Sequence, residues 1–199
     1  MTEFDRDAIV DNALELLINP GYNSTTVADI AAANGLEPDA LAAAFPNTES
    51  FVFAVVDAML AAVFEALAEA DEADDLVEAL RGAHQRVLNR IIAGEGPVPL
   101  TRMQRMGLIM MTYPVVAQKV SARRKRMLAL GLAQQSGVRD DDPQIVRAVT
   151  LWSAVVAGTY AAGINDEVVA SPQADLIETD RMRGRLGRTF TQVTGKRPS

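Results

Sequence analysis

The chain has 199 residues, nearly half of them hydrophobic and none of them cysteine, with a formal net charge of −7 and a pI near 4.8. That length supplies one substantial core or a small head with a larger body. The composition excludes disulfides and thiolate chemistry, and its acidity argues against general affinity for nucleic acid or acidic membranes. No uninterrupted apolar run approaches the roughly 20 residues of a membrane span, and the acidic N-terminus is no signal peptide, so the expectation is a soluble cytoplasmic protein.

A first helix is expected from about Asp5 to Asn19, with Ile9, Ala13, Leu16 and Leu17 on its buried side and Pro20-Gly21 to stop it. The stretch Thr25–Glu49 then holds two short helical patterns around a tight turn. Thr26 can cap the first, which carries Val27, Ile30 and Ala31 on one side, and Asn34-Gly35 ends it. Glu37 can cap the second, Pro38 fits its first position, and Asp39 suits the positive end of the dipole. Leu41 and Phe45 give it one apolar side and Pro46 closes it. Two short helices joined by a glycine turn form the helix-turn-helix unit, which lays its second helix in a DNA major groove.

Thr25-Thr26, Ile30-Ala31, Gly35, Leu41, Phe45-Pro46 and Glu49, preceded by Ala13-Leu14-Glu15-Leu16-Leu17 and Gly21-Tyr22, resemble the N-terminal domain of the TetR family of bacterial regulators. The resemblance covers roughly the first sixty residues. It implies an all-α fold of about nine helices, divided into a three-helix DNA-binding head (1–47) and a ligand-binding and dimerisation body (48–199). It further implies a homodimer and double-stranded DNA as partner. DNA contacts would then fall to Thr25, Thr26, Asn47 and Thr48 on phosphates and to Ala40, Ala42 and Ala43 on thymine methyls. Family members usually carry a serine, a tyrosine and a basic or histidine residue through this helix and a lysine after it; here Glu37, Ala42, Ala43, Ala44 and Thr48 stand there. Residues 1–50 hold nine acidic residues against Arg6 alone, a net −8, the wrong sign for gripping phosphates.

Asn47 or Thr48 caps a long helix with Val52, Val55, Val56, Met59, Val63 and Leu67 at helical spacing, read as the strongest amphipathic signal in the chain. Glu69 to Asp75 reads as an acidic turn, followed by a helix to about Ala93 with Leu76, Leu80, Val87, Leu88 and Ile91. That helix holds His84, the only histidine, which is either a packing residue or a pocket residue. Gly94-Glu95-Gly96-Pro97 is a break between helices.

Met103, Met106, Met110 and Met111, with Arg102 and Arg105, make the next segment unusual. Thioethers either fill core or line a cavity for a small apolar or amphipathic ligand, and an arginine at such a mouth can hold a carboxylate or phosphate. The candidate ligand pocket is His84, Arg102, Met103, Met106, Met110, Tyr113 and Trp152. After Tyr113-Pro114, the run Arg123-Arg124-Lys125-Arg126 cannot share one helix face and reads as solvated surface, or as a dock for an acidic surface including this protein's own head.

Asp140 to Asp142 before Pro143 start a helix to about Asn165, with Ile145, Val149, Trp152, Val155, Val156 and Tyr160 beside Ala157, Gly158, Ala161, Ala162 and Gly163. A last helix runs from about Gln173 to Thr194. The resemblance implies that these two form a four-helix bundle across a two-fold axis, with Val149, Val156, Tyr160, Leu186, Phe190 and Val193 at the interface. The tail Gly195 to Ser199 is expected to be disordered.

With one histidine, no cysteine and no nucleophile elbow, the sequence carries no catalytic constellation, so it reads as a non-enzyme with neither metal nor cofactor. Two functions remain open. One is a ligand-responsive transcriptional regulator; the other is a module of the same fold that has lost independent DNA binding through its acidic head.

Overall fold

The structure, a computed structural model, describes residues 5–69, 75–167 and 179–195, with the side chains of 160–167 and 179–183 outside that description. The described residues are helical and hold no strand. Among them, nine α-helices run in chain order: α1 (Arg6–Leu16), α2 (Val27–Ala33), α3 (Pro38–Ala44), α4 (Glu49–Ala68), α5 (Leu76–Ile92), α6 (Leu100–Thr112), α7 (Pro114–Ser136), α8 (Pro143–Glu167) and α9 (Thr179–Thr194).

α1 begins where Asp5 accepts a hydrogen bond from the Ala8 amide at 3.1 Å. Regular α-helix ends at Leu16, earlier than Asn19, because the residue before a proline is pushed toward extended backbone; Asn19 sits at φ −141° and ψ 112°. Its buried stripe is Ile9, Val10, Ala13 and Leu14, with Leu17 just beyond. Leu16, expected inside, is half-buried, since the 3.6-residue period set by Val10 continues to Leu14 and Leu17 instead.

α4 corrects the expectation of a strongly two-faced helix. It is apolar nearly all round, with Phe51, Val52, Val55, Val56, Leu60 and Val63 buried, and Phe53, Met59, Phe64 and Leu67 half-buried. The sharply amphipathic helices are α5 and α9. The stretch Pro38–Ala68 is long and apolar enough to cross a membrane, yet half of its most apolar window is buried within the fold. Asp57 on it takes two hydrogen bonds from Arg123, at 2.8 and 2.6 Å. Those are the marks of a core helix.

The acidic turn expected after α4 lies, between 70 and 74, outside the described residues, as does the tail from Lys196. Asp75 caps α5 by accepting from the Val77 amide at 2.9 Å, and Asp142 accepts from the Gln144 amide at 2.8 Å at the start of α8. α8 and α9 pack closely. A Cβ built on Gly158 would lie 2.6 Å from Cγ2 of Thr189, so this crossing admits no side chain there.

Compactness divides the chain into two units. The first is the chain up to Ala58 together with Val98–Arg123; the second is Met59–Pro97 together with Arg124 onward. The first unit therefore includes α6 and the start of α7 beside the helices of residues 1–47, whereas the family pattern closes the head at 47.

Candidate nucleic-acid interface

The corner between α2 and α3 is built as its residues dictate. Thr26 and Asp29 form a reciprocal box: the Asp29 amide donates to Thr26 Oγ1 at 3.2 Å, and the Thr26 amide donates to the Asp29 carboxylate at 2.8 Å. At the other end Leu36 N donates to the Ala31 carbonyl at 2.9 Å and Gly35 N to that of Ala32 at 3.1 Å. This closure places Gly35 at φ +65°, a backbone region costly for any residue with a Cβ. Asn12 of α1 donates to Asn34 Oδ1 at 2.8 Å and ties the corner to the helix before it.

α3 starts at Pro38 without a side-chain cap, which corrects the role expected of Glu37: it occupies the cap position, but its side chain binds no amide there. A glutamate reaches past the first-turn amides that a shorter Asp or Ser would meet. Leu41 is buried and Phe45 stacks on Phe51 with ring centroids 4.3 Å apart, so α3 is pinned by one apolar side. Its opposite side is open. Glu37, Pro38, Asp39, Ala40, Ala43 and Ala44 are exposed, and Ala42 is half-buried.

The residues assigned to phosphate contact by family pattern divide. Thr25 is buried, and its hydroxyl is aimed at the carbonyls of Leu16 and Gly21, each 2.9 Å away. It locks the entry to α2 instead of facing a ligand, a correction whose cause is the turn of chain before it. The Thr26 hydroxyl is spent on Asp29. Asn47 is exposed and caps α4, accepting from the Ser50 amide at 3.0 Å; Thr48 is half-buried beside Glu49.

The acidity of the first fifty residues is largely answered from elsewhere in the same unit. Arg102 donates to Asp11 from Nε and Nη2 and to Asp7 from Nη1, each at 2.8 Å. Those bonds hold the Asp11 carboxyl below its ordinary range and push the guanidinium of Arg102 up. Arg105 pairs with Glu15, and Lys119 with Glu49. Burial works against the charge on Glu49, but hydrogen bonds from Lys119 and from Tyr22, whose hydroxyl is 2.6 Å away, outweigh it and keep the carboxyl low. Burial, then that same bond to Glu49, raises Tyr22. Arg6 lies over the Phe45 ring, 4.6 Å from its centre. What remains toward solvent on α3 is Glu37 and Asp39.

The candidate ligand residues also divide. Arg102, expected at a cavity mouth, is committed to Asp7 and Asp11 with its side chain only 6% exposed, which leaves no free fork for a ligand anion. Met103 and Met106 are buried among α6 core residues, while Met110 and Tyr113 are half-buried. Tyr113 meets Tyr22, with ring centroids 5.4 Å apart. In the second unit, His84 and Trp152 are brought together. Trp152 Nε1 donates to His84 Nε2 at 3.1 Å, and Nδ1 of His84 lies 2.8 Å from the Leu80 carbonyl, which fixes the neutral Nδ1–H tautomer. Burial drives this imidazole down to about 4.

Of the expected interface residues, Val149 and Leu186 keep 8% exposure, and Val156 and Val193 are half-buried. The side chain of Tyr160 is outside the described residues. Phe190 is fully buried within its own chain beneath Arg81, whose guanidinium is 5.3 Å from the ring centre, so it has no surface to offer a second copy. Among the described residues no cluster of His, Cys, Asp and Glu is arranged to hold a metal ion.

This arrangement, a capped helix-turn-helix in an all-helical chain, is that of a DNA-reading regulator. The model of the family "Bacterial regulatory proteins, tetR family" matches residues 9–55. The chain is 30% identical over 151 residues to the HTH-type transcriptional regulator TcmR of Streptomyces glaucescens, covering 72% of this chain and 67% of that protein. It is 43% identical over 54 residues to the transcriptional repressor ComR of Escherichia coli (strain K12), covering 27% and 26%. Its fold is similar to the crystal structure of the Thermus thermophilus repressor FadR in complex with lauroyl-CoA, with a TM-score of 0.50, 18% identity, and coverage of 98% and 97%. The chain belongs to the TetR family of transcriptional regulators, and it is not an enzyme.

Proposed function

We propose that this TetR-family regulator acts as a cytoplasmic homodimer that binds duplex DNA through α2 and α3 and is governed by a small, mainly apolar or amphipathic ligand. The DNA-binding segment is 1–47 and the ligand-binding and dimerisation segment 48–199. The observation that carries the reading is the outward face of α3, held by Leu41 and Phe45 on a closed Gly35 corner with nothing covering it among the described residues. The pairing of Asp7, Asp11, Glu15 and Glu49 with Arg102, Arg105 and Lys119 supports it further, because those acids present less net charge to DNA than their count suggests. The proposed dimer surface is Val149, Val156, Tyr160, Leu186 and Val193. A ligand can alter DNA affinity only by binding one head spacing more tightly than the other. FadR, of the same fold, is seen with an acyl chain carried on a large polar group, the kind of amphipathic molecule proposed here.

A second reading keeps the fold without independent DNA binding. Exposed Glu37 and Asp39, on a helix that offers no cation, favour it. Fluorescence anisotropy with random-sequence duplex at low salt separates the two. The regulator gives weak binding with a shallow salt dependence; absence of binding at micromolar dimer, on random duplex and on duplexes selected from a random library alike, supports the second reading.

A further inference from the structure

We propose that α3 reads its operator with methyl groups, and rejects bases with carboxylates, in place of the hydrogen-bond donors that usually read bases. This rests on the reading of α3 as the DNA-facing helix, which the closed helix-turn-helix corner and the family membership supply; composition alone would not make this face a site. Ala40, Ala43 and Ala44 are exposed at spacings of three and four residues, so their methyls share one helix face, with Glu37 one turn before Ala40 and Asp39 beside it. Nothing on the exposed face of α3 carries an N–H or O–H beyond the backbone.

In the major groove, only thymine offers a methyl for an alanine to pack on. Cytosine N4 and adenine N6 offer donors that a carboxylate accepts, whereas guanine presents N7 and O6, both acceptors, and is repelled. The operator therefore carries thymine opposite the alanines and excludes guanine opposite Glu37 and Asp39. The cations within the described part of this unit reinforce the point: Arg102, Arg105, Lys119 and Arg123 are held in ion pairs and Arg6 lies on Phe45, so attraction to phosphates supplies little of the affinity. Recognition comes from apolar fit, with a shallow salt slope.

The test uses the full-length protein. Duplexes selected from a random library at low salt are measured by anisotropy with thymine and with deoxyuridine, which differs only by the missing methyl. Removing one contacted methyl weakens binding about fourfold. The variant Ala43→Gly loses the same factor on the thymine duplex and nothing more on the deoxyuridine duplex, and Ala43→Ser repeats the comparison without the helix-weakening glycine. Selection repeated with Glu37→Gln and Asp39→Asn admits guanine at positions that the unaltered chain excludes. If a selected duplex binds equally with thymine and deoxyuridine, or the glutamine and asparagine variants select the unaltered sequence, the readout proposal is overturned while DNA binding stands. If no duplex is selected or bound, both the proposal and the regulator reading fall.

Discussion

Arg102 of α6 grips Asp11 of α1 with two nitrogens, Nε and Nη2, each 2.8 Å from a separate carboxylate oxygen, and reaches Asp7 with a third. The planar fork matches a carboxylate as an ammonium cannot. It joins segments more than ninety residues apart in sequence and anchors α6 to the first helix.

Replacing Arg102 by methionine keeps most of the packing and removes the fork. With the arginine side chain buried and the Asp11 side chain 36% exposed, the carboxylates can rehydrate, so the loss stays below that of a fully buried pair. Urea denaturation of Arg102→Met should show a loss of about 2 kcal/mol, and Arg102→Lys should recover at most half. Unchanged stability in both variants would show that the pair contributes nothing net.

Stability should also fall as pH drops from 6.5 toward 4, through His84. Its folded-state value of about 4 lies below the 6.5 of an ordinary histidine, so in that window the unfolded chain takes up a proton that the folded chain refuses. The stabilisation is full above 6.5 and lost progressively down to about 4, on the order of 3 kcal/mol in all. Thermal melts at pH 7 and pH 5 followed by Trp152, the only tryptophan, provide the measurement. In His84→Gln the difference between the two pH values should shrink markedly; an equal difference would assign the pH response to other groups.

What could be read from residues alone was what local chemistry writes. Thr26, Gly35, Pro38 and Phe45 bound α2 and α3 by capping, turn and packing rules that act over a few residues, and the structure puts each at the place foreseen for it. Asp142 and Pro143 do the same for α8. The pairings of Arg102 with Asp7 and Asp11, and of His84 with Trp152, span 68 to 95 residues and leave no periodic trace. Without them the acids of residues 1–50 looked bare and Arg102 looked available for a ligand. Thr25 misled for a related reason: a hydroxyl next to a helix start reads as exposed until the turn at Gly21 folds its carbonyl over it.

Gly35→Ala tests the corner directly. The alanine must hold φ near +65°, which destabilises by about 1 kcal/mol through backbone strain alone, since nothing lies within 4 Å of the added carbon. Chemical denaturation should show that cost, and Gly35→Asn, better tolerated in this region, should show less. Equal stability in all three would mean that the turn opens readily to another backbone geometry.

Placing a cation on α3 tests which face meets DNA. Ala43 is exposed and neutral, so Ala43→Lys alters charge without disturbing the Leu41 and Phe45 packing beneath. If that face lies in the groove, the new ammonium displaces a counterion, raising affinity for random duplex and steepening the slope of log affinity against log salt by about 0.9 per subunit. The same change at Ala154, exposed on α8 in the second unit, supplies equal net charge where no DNA contact is proposed. It should leave the slope near that of the unaltered chain. Equal effects at the two positions would mean that attraction follows overall charge and that α3 is not the reading helix, whereas a response confined to Ala43 assigns the contact to it.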